Sequence, residues 1–187
     1  MALPHADDRP PLGHLTDAQL ATHTARGQAD ALAELYHRYA RAMLAVAYRL
    51  LQSREDAEDV VHDVFVGLPE ALRRYEERGS LGPWLRKVTT RVALMRLREG
   101  TRYETVPLDE DRAATSARSP DAVVAIEDAL RHLSPTLRSV LVLKEIEGFS
   151  HAEIARMLDI SVGASEVRLH RALRSLRALL LMEDKDS

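Results

Sequence analysis

The chain has 187 residues, 45% of them hydrophobic and 29% charged, with a formal net charge of −3; this suits one soluble domain or two small ones and excludes a uniformly basic nucleic-acid coat. There is no cysteine, which excludes disulfides and thiolate zinc sites, and no apolar run approaches the length of a membrane span. Any nucleic-acid binding must therefore come from clustered basic residues, with the acidic ones serving elsewhere.

The first residues, MALPHADDRPPLG, carry acids and prolines where a signal peptide needs a basic start and an apolar stretch. They predict a loose tail over 1–13. Thr16 and Gln19 form a capping box that opens a short helix ending near Gly27. A long helix follows, roughly Gln28 to Leu51, with its apolar stripe at Leu32, Leu35, Tyr39, Met43, Val46 and Leu50. Ser53 caps a third helix whose stripe is Ala57, Val60, Val61, Val64, Phe65 and Leu68. Pro69 lacks a backbone donor and should kink or end it. Gly79-Ser80 and Gly82-Pro83 mark a loop. The next helix is predicted to run to about Glu99, with Leu81, Leu85, Val88, Val92 and Met95 buried and Gly100 as its stop.

Thr101 to Ser119 has no apolar period and reads as an exposed linker. Ser119-Pro120 and Ser134-Pro135 are both cap-then-proline helix starts, and Gly148 ends the second of those helices. Ser150 with Glu153 makes another capping box. Ile154, Ala155 and Leu158 give that helix its stripe, Asp159-Ile160-Ser161 is a tight turn, and Ser161 caps the last helix. There Val162, Leu169, Ala172, Leu173, Leu176 and Leu180 fall on one face, while Val167, Arg171 and Arg174 point the other way. This is a helix-turn-helix layout, whose second helix suits the major groove. No internal repeat and no strand-period segment is present. The expected fold is all-α: two small helical domains, 14–100 and 121–183, joined by a flexible linker at 101–120, the second a helix-turn-helix domain. The chain stops soon after the last helix, so no further C-terminal domain is expected.

Three surfaces carry chemistry. The non-core face of 54–65 holds Glu55, Asp56, Glu58, Asp59, His62 and Asp63. Such a face repels DNA; it is either an ordinary solvated surface or one that suits a basic protein partner. Trp84, Lys87, Arg91 and Arg98 share a helical stripe, an aromatic beside cations that could stack a base and hold a single-stranded backbone. Trp84 could equally be a core residue. The third surface is the outer face of the last helix. The eight histidines are scattered, with no metal-ligand spacing, no nucleophile motif and no phosphate loop. No catalytic residue, metal or cofactor is expected.

These pieces, in this order, resemble a bacterial RNA polymerase sigma factor of the extracytoplasmic-function group, in the sigma-70 family. The resemblance rests on REDAEDVVHDVF at 54–65, GSLGPWLRKV at 79–88, and Leu133 to Leu179, with its LSPTLR start, EGFSHAEIA middle and RLHRAL end. It covers most of the chain and implies a protein that binds core RNA polymerase, recognises promoter DNA and assists melting without being an enzyme. By that resemblance Asp59, Val60, His62, Asp63 and Phe65 grip the clamp of the polymerase's largest subunit, and the second domain meets the flap of the second largest. Arg78, Ser80, Trp84, Lys87, Arg91 and Arg98 face the −10 element. Glu166, Val167, Arg168, His170, Arg171 and Arg174 face the −35 element, with Arg168 and Arg174 placed for phosphates. An anti-sigma partner is implied, as is a cytoplasmic, nucleoid-associated location.

The sequence departs from the family's common pattern at several positions. His62 stands where Gln is common, Arg91 where Asn is, Met95 where Asp is, Val167 where a small polar residue is, and Glu166 where Lys is. Glu166 could accept from a cytosine amino group, or pair along the helix with His170 or Arg174. A −35 preference unlike the group's commonest one is expected. Two other readings stand beside this one: a stand-alone helix-turn-helix regulator, which leaves 16–98 unexplained, and an adaptor that mimics a sigma factor.

Overall fold

The computed structural model describes residues 12–75, 80–103 and 122–183. Among them every regular element is helical, and no helix is long and apolar enough to cross a membrane. Contacts divide the chain into two compact units. One holds the residues through Ala47 together with Ala57–Val92; the other holds Tyr48–Asp56 together with the chain from Ala93 onward.

After a single 3-10 turn at Leu12–His14, α1 spans Asp17–Ala25. Its capping box is closed in both directions: Gln19 N donates to Thr16 Oγ1 at 3.3 Å, and Thr16 N donates to Gln19 Oε1 at 2.9 Å. Two of the first turn's orphaned donors are satisfied this way. Gly27 takes a φ of +82° and turns the chain into α2, Ala29–Leu51. Ser53 Oγ then accepts from Asp56 N at 3.2 Å and starts α3, Arg54–Arg73. Leu20, Leu35, Met43, Val61, Val64, Phe65, Leu68, Leu81 and Leu85 form the apolar centre of this unit.

Neither Pro69 nor Gly100 ends its helix. Helix α3 runs past Pro69 to Arg73. The turn beyond the proline is held by Leu68 and Leu72, both buried, and that burial outweighs one missing hydrogen bond. Helix α4 spans Leu81–Tyr103, so Gly82 and Pro83 belong to its first turn and Gly100 does not stop it. A proline is tolerated in a first turn because that N–H has no helical partner anyway. A glycine ends a helix only where a left-handed cap is completed; inside one it merely costs about 1 kcal/mol against alanine.

The buried face of α4 also differs from the expected one. Met95 is 57% exposed, while Thr89, Thr90, Ala93 and Leu94 are buried. Both threonines return their hydroxyls to the helix, Thr89 to the Leu85 carbonyl at 2.9 Å and Thr90 to Arg86 at 2.8 Å. A hydroxyl satisfied locally can enter a core at little cost.

In the second unit, α5 spans Ala122–His132 and α6 Pro135–Leu141. Leu137 N donates to Ser134 Oγ at 3.5 Å, with Pro135 as the first helical residue. One π-helical turn, Val142–Ile146, continues α6; Glu147 N reaches back to Val142 O at 3.0 Å. Gly148, at φ +74°, then reverses the chain. Next come α7, His151–Leu158, and α8, Val162–Glu183. Helix α8 packs against α5, α6 and α7 around Leu130, Val140, Leu143, Ile154 and Ala172. Of the tail expected over 1–13 and the linker expected over 101–120, residues 1–11 and 104–120 lie outside the described residues, as does the Ser119-Pro120 start; Leu12–His14 is a 3-10 turn and 101–103 continue α4.

Candidate functional site

The turn between α7 and α8 is built from short-range hydrogen bonds. Glu153 N donates to Ser150 Oγ at 3.3 Å, and Ser150 N donates to Glu153 Oε2 at 2.9 Å. Asp159 is left-handed, at φ +55°, a conformation that Asp tolerates better than most residues. Ile160 N reaches the Ala155 carbonyl at 3.0 Å, and Ser161 Oγ accepts from Ala164 N at 3.0 Å. The α7 cap, the reversal and the α8 cap therefore fall within about one turn each.

A further bond, missed from the sequence, ties the two helices together. Ser165 is fully buried, and its Oγ lies 2.9 Å from His151 Nδ1. Ser165, Leu169, Ala172 and Leu176 recur at helical spacing, and this is the stripe α8 turns inward. Val162 and Leu173, expected on that face, are exposed, Leu173 by 42%. The inward stripe is centred on Ser165 and Ala172, which leaves Val162 and Leu173 at its edge. The side chain of Leu180 lies outside the described residues.

The outward face of α8 carries Glu166, Val167, His170, Arg171 and Arg174, all exposed, with Arg168 half-buried. Arg174 Nη2 lies 3.2 Å from His170 Nε2; in that geometry a neutral imidazole accepts from the guanidinium. Among the described residues, no ion pair joins Glu166 to His170 or Arg174, so the carboxylate points outward without an intrahelical partner. Val167, 52% exposed, is an apolar spot within this polar face.

On α4, Trp84 is half-buried. It packs against the core of the first unit, and its ring lies 4.9 Å from that of Tyr75 at 55°. Trp84 is thus anchored in the core on one side and reaches the surface on the other. Lys87, Arg91 and Arg98 are exposed on the same helix, and Ser80 is exposed just before it. Arg98, in the second unit, donates to the Met157 carbonyl. Arg78 lies outside the described residues.

On α3, Glu55, Glu58, Asp59, His62 and Asp63 are exposed. Asp56 is engaged by Arg96 at 3.0 Å. Val60 and Phe65 are buried, so they hold this face from beneath rather than present it to a partner. Two apolar side chains border it instead, Val66 at 67% exposure and Tyr36 at 49%. Tyr36 rests on Phe65 with ring centres 4.9 Å apart. Their exposure was not legible in the sequence, because each lies at a position that a wider apolar stripe would have covered.

Comparison with known proteins places these surfaces in a family. A family model described as Sigma-70 region 2 matches residues 35–103, and one described as Sigma-70, region 4 matches residues 124–176. The RNA polymerase sigma factor CarQ of Myxococcus xanthus is 31% identical over 159 residues, which is 82% of this chain and 91% of that protein. The ECF RNA polymerase sigma factor SigE of Mycolicibacterium smegmatis is 30% identical over 163 residues; the match spans 82% of this chain but only 63% of SigE. Among solved structures, CnrH in complex with the cytosolic domain of CnrY superimposes with a TM-score of 0.53 at 29% identity, covering 91% of this chain and 99% of that one. The sigma factor RpoE of Bartonella quintana, solved with the anti-sigma factor NepR, has a TM-score of 0.53 at 24% identity, over 75% and 90% of the two chains. That last likeness bears on the fold alone.

Proposed function

Because the chain belongs to the sigma-70 family, in its extracytoplasmic-function group, we propose that it binds core RNA polymerase, brings it to promoters and helps open them, without catalysing a reaction itself. The observation that carries this reading is the pairing, in one chain, of an outward recognition face on α8 with an exposed acidic face on α3. A stand-alone repressor has no use for the second.

The acidic face does not suit DNA. Asp59, His62 and Asp63 stand one turn apart on α3 and suit the basic side chains of the polymerase clamp. Tyr36 and Val66 add apolar area at its border, and Val60 and Phe65 keep it rigid from below. On α4, the outer side of Trp84 offers a stacking surface to an unpaired base of the −10 element, with Lys87 and Arg91 near the backbone. On α8, Arg171 suits a bidentate contact with guanine, and Arg168 and Arg174 suit phosphates. Val167 can touch only a thymine methyl, and Glu166 only a base amino group. The −35 preference therefore departs from that of a helix with Lys and a small polar residue in those places.

Control by an anti-sigma protein belongs to the same reading. CnrH was solved with the cytosolic domain of CnrY, and the stretch between the two matched regions is long enough to let this chain take up a partner. The direct test is transcription in vitro with purified core polymerase, with and without the chain. Promoter-specific transcripts are expected only with it. Operator binding without transcripts would instead make it a stand-alone regulator, and neither activity would make it an adaptor.

A further inference from the structure

Two residues before Trp84, the first turn of α4 rests on another side chain. A Cβ added to Gly82 would lie 3.0 Å from Tyr39 Cε1 and 3.7 Å from its Cζ and its hydroxyl oxygen. Glycine is what lets the backbone sit that close to the ring. The far end of the ring is tied down in turn: Tyr39 Oη donates a hydrogen bond to Asp17 Oδ2, in the first turn of α1. Asp17 is fixed from its other oxygen. Arg38 donates to Asp17 Oδ1 at 3.0 Å, to Glu34 Oε1 at 2.8 Å and to the Gly13 carbonyl at 3.1 Å. A chain of fixed contacts thus leads from α1, through α2, to the turn that carries Trp84. All of it lies within one compact unit.

We propose that Tyr39 is a positioning residue for base capture: held by Asp17, its ring seats Gly82 and so sets the angle at which Trp84 meets an unstacked promoter base. The inference rests on the promoter-opening reading above. Trp84 has two references for its placement, the Tyr75 ring on one side and the backbone seat at Gly82 on the other. Stacking is sensitive to both the height and the tilt of the platform, so a shift of a few tenths of an ångström at the seat weakens capture without disturbing the acidic face that binds polymerase.

The test uses holoenzyme assembled on promoter DNA carrying 2-aminopurine in the upstream part of the −10 element. Open-complex fluorescence is read beside the affinity for core polymerase. Gly82→Ala pushes against the Tyr39 ring, and Asp17→Ala releases its hydroxyl. Each should lower open-complex formation roughly fivefold to tenfold, the scale of losing part of one base's stacking, with core affinity unchanged. Asp17→Asn keeps an acceptor for the hydroxyl and should behave as the unsubstituted chain. In a Tyr39→Leu background, adding Gly82→Ala should cost nothing more. Normal opening by Gly82→Ala and Asp17→Ala overturns the proposal. So does an equal loss of core affinity, which would make Tyr39 a support of the fold alone. The Asp17 pair keeps the test readable if Gly82→Ala does not fold. No opening by the unsubstituted chain would instead sink the functional reading, and this inference with it.

Discussion

Arg171, exposed on α8 one turn beyond Val167, is the side chain with the most to say about sequence choice. A bidentate Arg–guanine contact discriminates by about 1–3 kcal/mol, whereas a phosphate contact strengthens binding to every sequence alike. Arg171→Ala should therefore relax the preference at one −35 position, while Arg168→Ala should weaken all sites together; competitive binding-site selection with holoenzyme separates the two. Tyr39 makes a residue-scale prediction of another kind. Burial first, and then its bond to Asp17, push its hydroxyl up from 10.0 to about 12. The folded state thus keeps a proton that the unfolded chain sheds. The stability this confers is complete below about pH 10 and is lost as pH rises through about 12. A titration of phenolate absorbance should show a step near pH 12, and Tyr39→Phe should abolish it.

At the scale of elements, what was legible was local. The capping boxes at Thr16–Gln19 and Ser150–Glu153 and the cap at Ser161 each depend on a few adjacent residues, so sequence spacing was enough to find them. Pro69 does not end α3, because its penalty is local and its compensation is not: Leu68 and Leu72 are buried by other helices. Removing the penalty should be measurable. Pro69→Ala restores a donor for the Phe65 carbonyl and should stabilise the fold by about 1–3 kcal/mol in urea denaturation. An unchanged midpoint would mean that this carbonyl is already satisfied. The π turn at Val142–Ile146 left no trace in the sequence pattern, since one extra residue in a turn shifts a helical stripe by an amount that an irregular core absorbs.

At the scale of the whole molecule, the net charge of −3 conceals helix faces of opposite sign: carboxylates on α3 and guanidinium groups on α8. The free chain should bind duplex DNA weakly, and the acidic face should be part of the reason. Replacing Asp59 and Asp63 by Asn together should raise the free chain's affinity for DNA, most at low salt, and lower its affinity for core polymerase. A rise in DNA affinity that did not depend on salt would exclude that electrostatic account. By itself the sequence determined the helical class, the family and the capped helix starts at Thr16, Ser53, Ser134, Ser150 and Ser161, because caps, turns and apolar periods are written in neighbouring residues. Only the tertiary structure decided which side chains reach the surface. Thr89, Thr90 and Leu94 are core and Met95 and Leu173 are not; Ser165 binds His151; Gly82 rests on Tyr39. Burial depends on what packs against a helix, and that partner lies tens of residues away along the chain.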